Sequence, residues 1–150
     1  MFKTLLFTFY LSVLVIITAC NSTATTEDKE LKICPQCHME LPKSNINTAF
    51  VVQNGKSTYF DDIGCMILWA KENNINLKEI ETKVFSNDTK KYIDAFKLNY
   101  RIDENTPMHY GFGAYEKKQN KSIDFDEVIL RMLRGEHMAN PKIRKQILGY

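Results

Sequence analysis

Residues 47–62 read NTAFVVQNGKSTYFDD, and this stretch decides the fold. Two runs of apolar, β-branched and aromatic residues flank Gln53-Asn54-Gly55-Lys56. Asn-Gly between such runs predicts a hairpin, because a type I′ turn needs positive φ at two successive residues. The spacing predicts paired strands over 48–53 and 56–61. The next stretch, DDIGCMILWAKENN, predicts a helix. Asp62 is its N-cap, and Ile63, Met66, Ile67 and Ala70 recur at helical spacing. Residues 78–88, KEIETKVFSND, read as a third strand.

The second half repeats the scheme. KKYIDAFKLNYRI contains an extended or short helical element, and MHYGFGAYEKK reads as a strand. SIDFDEVILRMLRGEH predicts a helix, with Asp124 and Glu127 at capping-box spacing. Its apolar stripe is Phe125, Val128, Ile129, Met132 and Leu133. The expected class is therefore α+β, with two tandem strand-strand-helix subdomains after a signal peptide and a polar stalk. Residues 140–150 form either a short helix or a frayed end.

The first nineteen residues have the anatomy of a secretory signal: a cation at Lys3, the apolar run LLFTFYLSVLVII, and small Ala19 before Cys20. Cysteine directly after a small residue resembles the lipobox of bacterial lipoproteins. That resemblance implies cleavage before Cys20 and lipidation of its thiol; the alternative is an uncleaved membrane anchor. Either places the chain on a membrane, facing the periplasm. The expected organisation is a signal peptide at 1–19, a lipid-anchored stalk at 20–32, an α+β domain at 33–138 and a C-terminal tail at 139–150. Removing Lys3 with the signal lowers the formal charge from +2 to +1. A near-neutral balance argues against nucleic acid as a partner.

The remaining cysteines are Cys34, Cys37 and Cys65. An odd count cannot be a complete disulfide framework, and free surface thiols are a liability in an oxidising compartment. A ligand role therefore gains weight. CPQCHM, residues 34–39, places two thiols, an imidazole and a thioether in six positions. Every histidine sits beside a methionine: His38-Met39, Met108-His109 and His137-Met138. Soft donors select Cu(I), with zinc as the main competitor for thiolate. Zinc would use Cys34, Cys37 and Cys65 and would need a further donor. Cys34 and Cys37 also suit a disulfide or a redox dithiol. Met66 and Met132 lie on apolar helix stripes and are expected in the core, whereas Met108, at an element edge after Pro107, is a candidate ligand. His137 and Met138 are expected on solvated surface. No paired carboxylates, Ser-His pairing or glycine-rich phosphate loop of the required pattern is present, so an enzyme is not expected.

CPQCHM, FDDIGCM, YIDAF and TPMHYGFGAY, in that order behind a lipobox, resemble the NosL family, copper-binding lipoprotein accessory proteins of nitrous oxide reductase. The resemblance spans roughly 34–130. It implies an α+β fold of two similar subdomains, Cu(I) binding, and copper supply to apo nitrous oxide reductase or another extracytoplasmic copper enzyme. The family's Cys-x-Met corresponds to Cys37 and Met39, and its later methionine to Met108. His38 and His109 stand where the family usually has glycine, beside the implied ligands. The expected metal ligands are thus Cys37, Met39 and Met108, with Cys34, His38, His109 and Cys65 as further candidates. The alternatives are a membrane-tethered thiol oxidoreductase using Cys34 and Cys37, and a zinc-stabilised interaction domain.

Overall fold

The computed structural model describes residues 32–150. The expected signal, the expected lipidation site Cys20 and almost all of the expected stalk lie outside the described residues. No described helix is long and apolar enough to cross a membrane.

Strand β1 (Ala49–Gln53) and strand β2 (Lys56–Phe60) form the expected hairpin, with Ala49 opposite Phe60 and Gln53 opposite Lys56. Asn54 and Gly55 take φ of 51° and 75°, the left-handed pair that a type I′ turn requires. Strand β3 (Glu81–Phe85) adds to the other side of β1, and the short β4 (Tyr92–Asp94) pairs with β3. The sheet order is β2-β1-β3-β4, antiparallel throughout. A single 3₁₀ turn, Ala95–Lys97, leads to β5 (Asn99–Arg101), which pairs with β6 (Gly113–Tyr115) as a separate ribbon. Helix α1 (Ile63–Glu72) follows the first hairpin, and helix α2 (Phe125–Arg134) follows the ribbon. A third helix, α3 (Pro141–Leu148), closes the chain. The architecture is α+β with a strand-strand-helix order in each half, as expected.

Two segments depart from expectation for local reasons, and a third takes one of its two expected forms. β3 stops at Phe85 because Asp88 draws the chain into a turn. Its carboxylate accepts from the Ser86 hydroxyl and from the backbone N–H of Thr89, Glu116 and Lys117. The strand expected in MHYGFGAYEKK shrinks to Gly113–Tyr115, because His109 and Gly111 hold φ of 57° and 90° and no strand runs through such residues. The C-terminal stretch is a helix, not a frayed end. Asn140 caps it by accepting from the Lys142 N–H, and Gly149 ends it in the left-handed region.

The two halves share one core. Ile63, Met66, Ile67 and Ala70 of α1 lie in one cluster with Val51, Phe60 and Val84 of the first half. The same cluster takes in Tyr100, Phe112, Phe125, Val128 and Met132 of the second half. Met66 and Met132 are core residues, as their helical positions predict. Burying one such side chain is worth about 1.5–3 kcal/mol, so the contact between halves is a main source of stability. The Tyr100 hydroxyl donates to the Ala95 carbonyl at 2.7 Å, which satisfies its polar end inside the core.

Candidate metal centre

CPQCHM folds into a tight knuckle. The Cys34 N–H donates to the Met39 carbonyl and the His38 N–H donates to the Cys34 carbonyl, both at 2.9 Å. Ile33 and Glu40 pair as an antiparallel bridge at its base. His38 closes the loop with φ of 61°. That conformation favours glycine, so the histidine here carries a backbone cost that glycine would not. His109 is in the same position in its own loop, at φ 57°. Both imidazoles stand on exposed residues.

The knuckle sits against the junction of β2 and α1. Asp61 follows the last residue of β2, Asp62 caps α1, and Cys65 lies in the first turn of the helix. Gln36 reaches the far end of α1 by donating to Glu72 at 3.1 Å. This docking brings Cys34, Cys37, Asp61 and Cys65 together, with one ligand atom from each lying within 4.8 Å of all the others. Cys34, Asp61 and Cys65 are wholly buried, and Cys37 is half-buried. None of the three described cysteines is in a disulfide. These four residues are positioned to hold a metal ion. Cys65 was one candidate among several in the sequence; Asp61 is a donor that sequence reasoning missed. Two adjacent acids directly before a helix that carries a cysteine in its first turn were the available signal, but the capping role of Asp62 accounted for the pair.

Asp61 is the unusual member. Its Oδ1 accepts a hydrogen bond from the Cys37 thiol at 3.1 Å, and its Oδ2 is buried with no partner among the described residues. A buried carboxylate oxygen without a donor is costly. A cation at the cluster would satisfy it.

The three thiols are electrostatically unequal. A hydrogen bond from Cys65 lowers Cys34 to about 7 against the opposing effect of burial, with help from the backbone N–H groups of Asp61 and Cys37. Cys37 is pushed up to about 12, first by burial and then by the carboxylate of Asp61 and the sulfur of Cys34. The Met39 N–H opposes that rise. Cys65 lies far above the ordinary thiol range, because it donates to Cys34 and is buried beside Asp61. Cys37 and Cys65 thus favour the protonated thiol, and a metal ion bound there must displace those protons.

A second layer backs the cluster. Asp62 accepts from the Gly64 N–H at 2.9 Å through one oxygen and from the Met108 N–H at 3.1 Å through the other. Burial pushes its carboxyl up to about 6, against the donors Thr106, Gly64 and Met108. The Tyr110 ring packs on Gly64, where a Cβ would meet it at 2.3 Å. Its hydroxyl is raised to about 12 by burial and by the negative groups of the cluster. His137 stands edge-on to Tyr110, with ring centroids 4.9 Å apart. The Met138 N–H donates to the Tyr110 carbonyl at 3.0 Å. His137 and Met138 are thus half-buried behind the site rather than on the solvated surface expected of them. Of the thioethers implied as ligands, Met39 is 42 % exposed beside the knuckle, and Met108 is half-buried against the core.

Fold and site together define an α+β domain with a buried cysteine–aspartate cluster. No family model matches this sequence. No curated protein and no solved structure matches it significantly.

Proposed function

We propose that this protein is a Cu(I) carrier, tethered to a membrane by lipid on Cys20 and facing the periplasm. It hands copper to apo nitrous oxide reductase or another extracytoplasmic copper enzyme. The observation that carries this reading is the convergence of Cys34, Cys37 and Cys65 within 4.8 Å, with Cys37 at the solvent edge. Three sulfurs in a small space are a soft donor set, and soft donors favour monovalent copper. A half-buried sulfur leaves a side from which a client's donor can approach. The ion then passes through a shared complex without release to water. Met39, exposed two residues from Cys37, and Met108, whose backbone N–H is held by Asp62, are the candidate thioether donors. The test is bathocuproine competition for Cu(I) on anaerobically purified protein. Cys37→Ala and Met39→Ala should each weaken binding, and unchanged affinity in both would overturn the assignment.

Asp61 favours a second reading. An oxygen donor completes a four-coordinate set with three thiolates, which suits zinc. A structural zinc site contributes folding energy directly, so a chelator should unfold the domain. A carrier stays folded when empty. Circular dichroism before and after chelation separates the two readings.

A further inference from the structure

We propose that Cys37 and Cys34 form a redox latch, with Cys37 as the modification site for small disulfides of the glutathione class. Of the three described thiols, Cys37 is the one that solvent reaches; Cys34 and Cys65 show 0 % exposure. The Cys37 thiol already donates its proton toward Asp61 Oδ1 at 3.1 Å. That hydrogen bond orients the Cys37 sulfur at the solvent edge of the cluster, within 4.8 Å of the Cys34 sulfur.

The chemistry balances in two exchanges. Cys37 attacks one sulfur of the small disulfide, its S–S bond breaks, and the departing small thiolate takes up the Cys37 proton. Cys34 then attacks the Cys37 sulfur of the mixed disulfide and expels the second small thiolate. The departing pair takes up the two protons. The protein loses two electrons and gains one S–S bond, and the oxidant becomes two thiols. The knuckle holds the partners close: both cysteines belong to one turn, closed by the His38 N–H on the Cys34 carbonyl. Cys65 belongs to α1 and remains a thiol.

The consequence for metal rests on the carrier reading. Oxidation removes two of the three sulfurs, so the site accepts cargo only when reduced. A bound ion in turn protects both thiols. After Cys34 and Cys37 pair, Cys65 and Asp61 remain in place as half of the site.

The test uses the whole chain, reduced, stripped with chelator, and then exposed to oxidised glutathione. Alkylation and peptide mass mapping should find Cys34 joined to Cys37 and Cys65 alkylated. Cys34→Ser should stop at a glutathione adduct on Cys37, and Cys65→Ser should still form the latch. A principal disulfide that includes Cys65, or no adduct on Cys37 in Cys34→Ser, would overturn the proposal. Oxidised protein should lose Cu(I) binding and regain it with dithiothreitol. If reduced protein binds no Cu(I), the carrier reading fails, while the latch is still decided by the mapping.

Discussion

Asp62 Oδ2 accepts the Met108 N–H at 3.1 Å across 46 positions of sequence, while its other oxygen caps α1 at Gly64. One buried carboxylate thus ties the first turn of the helix that carries Cys65 to the loop that carries Met108. The helix cap and the placement of the loop are a single structural commitment.

Removing that carboxylate should therefore cost more than an ordinary cap. An N-cap is worth about 1 kcal/mol, and hydrogen bonds to a charged group about 1.5–3 kcal/mol. Asp62→Ala should lower stability by about 2 kcal/mol or more in urea denaturation. A loss below about 0.5 kcal/mol would show that the loop is held by other contacts.

The same residue sets a pH dependence. The folded Asp62 carboxyl is raised from 3.8 to about 6 by burial. The folded state thus favours the protonated form, and the stability this gives is fully present below 3.8 and lost as pH rises through about 6. The change is on the order of 2–3 kcal/mol. Urea midpoints of empty protein should fall over this window more steeply in the wild type than in Asp62→Asn, which cannot titrate. Asp88 acts in the opposite sense. Burial alone would raise it, but Ser86, Glu116 and Lys117 together hold it at about 2, so its contribution is lost only as pH falls through about 2.

Gly64 separates two opposing effects. Alanine inside a helix gains about 1 kcal/mol over glycine. A Cβ here meets the Tyr110 ring at 2.3 Å, and overpacking costs about 1–3 kcal/mol. The clash should win, so Gly64→Ala should destabilise, and Gly64→Ala with Tyr110→Leu should recover much of the loss. Thermal melts of the two variants check this.

His38 and His109 offer a separation of backbone from ligand chemistry. Both occupy left-handed conformations, so His38→Gly and His109→Gly should leave stability unchanged or raise it by up to about 1 kcal/mol. If an imidazole also donates to copper, the same variant will bind Cu(I) more weakly while melting no earlier. Paired melting and chelator-competition measurements read the two effects independently.

Metal affinity should fall as solutions become more acid. Cys37 is pushed up to about 12, so metal binding must expel its proton across the neutral pH range. Each displaced proton weakens apparent affinity about tenfold per unit of acidification. Titration of Cu(I) affinity between pH 6 and 8 should show this slope, and Cys37→Ser should flatten it.

Much of the fold was legible because its signals are local. Asn54-Gly55 and the caps Asp62 and Asp124 are decided within a few residues and appear as expected; of the stripe of α2, Phe125, Val128 and Met132 are buried, whereas Leu133 is 44 % exposed. The limits of β3 and β6 were not legible, because they depend on Asp88 reaching Glu116 and Lys117 and on positive φ at His109. The thiols were legible as a group from composition and spacing. Asp61 was not, because its role depends on the knuckle docking over the β2–α1 junction. His137 was misjudged for a similar reason: only the return of the chain past Tyr110 covers it.

The knuckle is tied to itself through Cys34 to Met39 and through Leu41 to Lys32, and to the β2–α1 frame through Cys37 to Asp61 and Gln36 to Glu72. The cluster is accordingly a clasp of two jaws, with two sulfurs on the loop and a sulfur and a carboxylate on the β2–α1 frame. Parting the jaws by a small swing would halve the coordination without unfolding any strand or helix. On the carrier reading proposed above, cargo leaves by loosening one side of its grip while the other still holds.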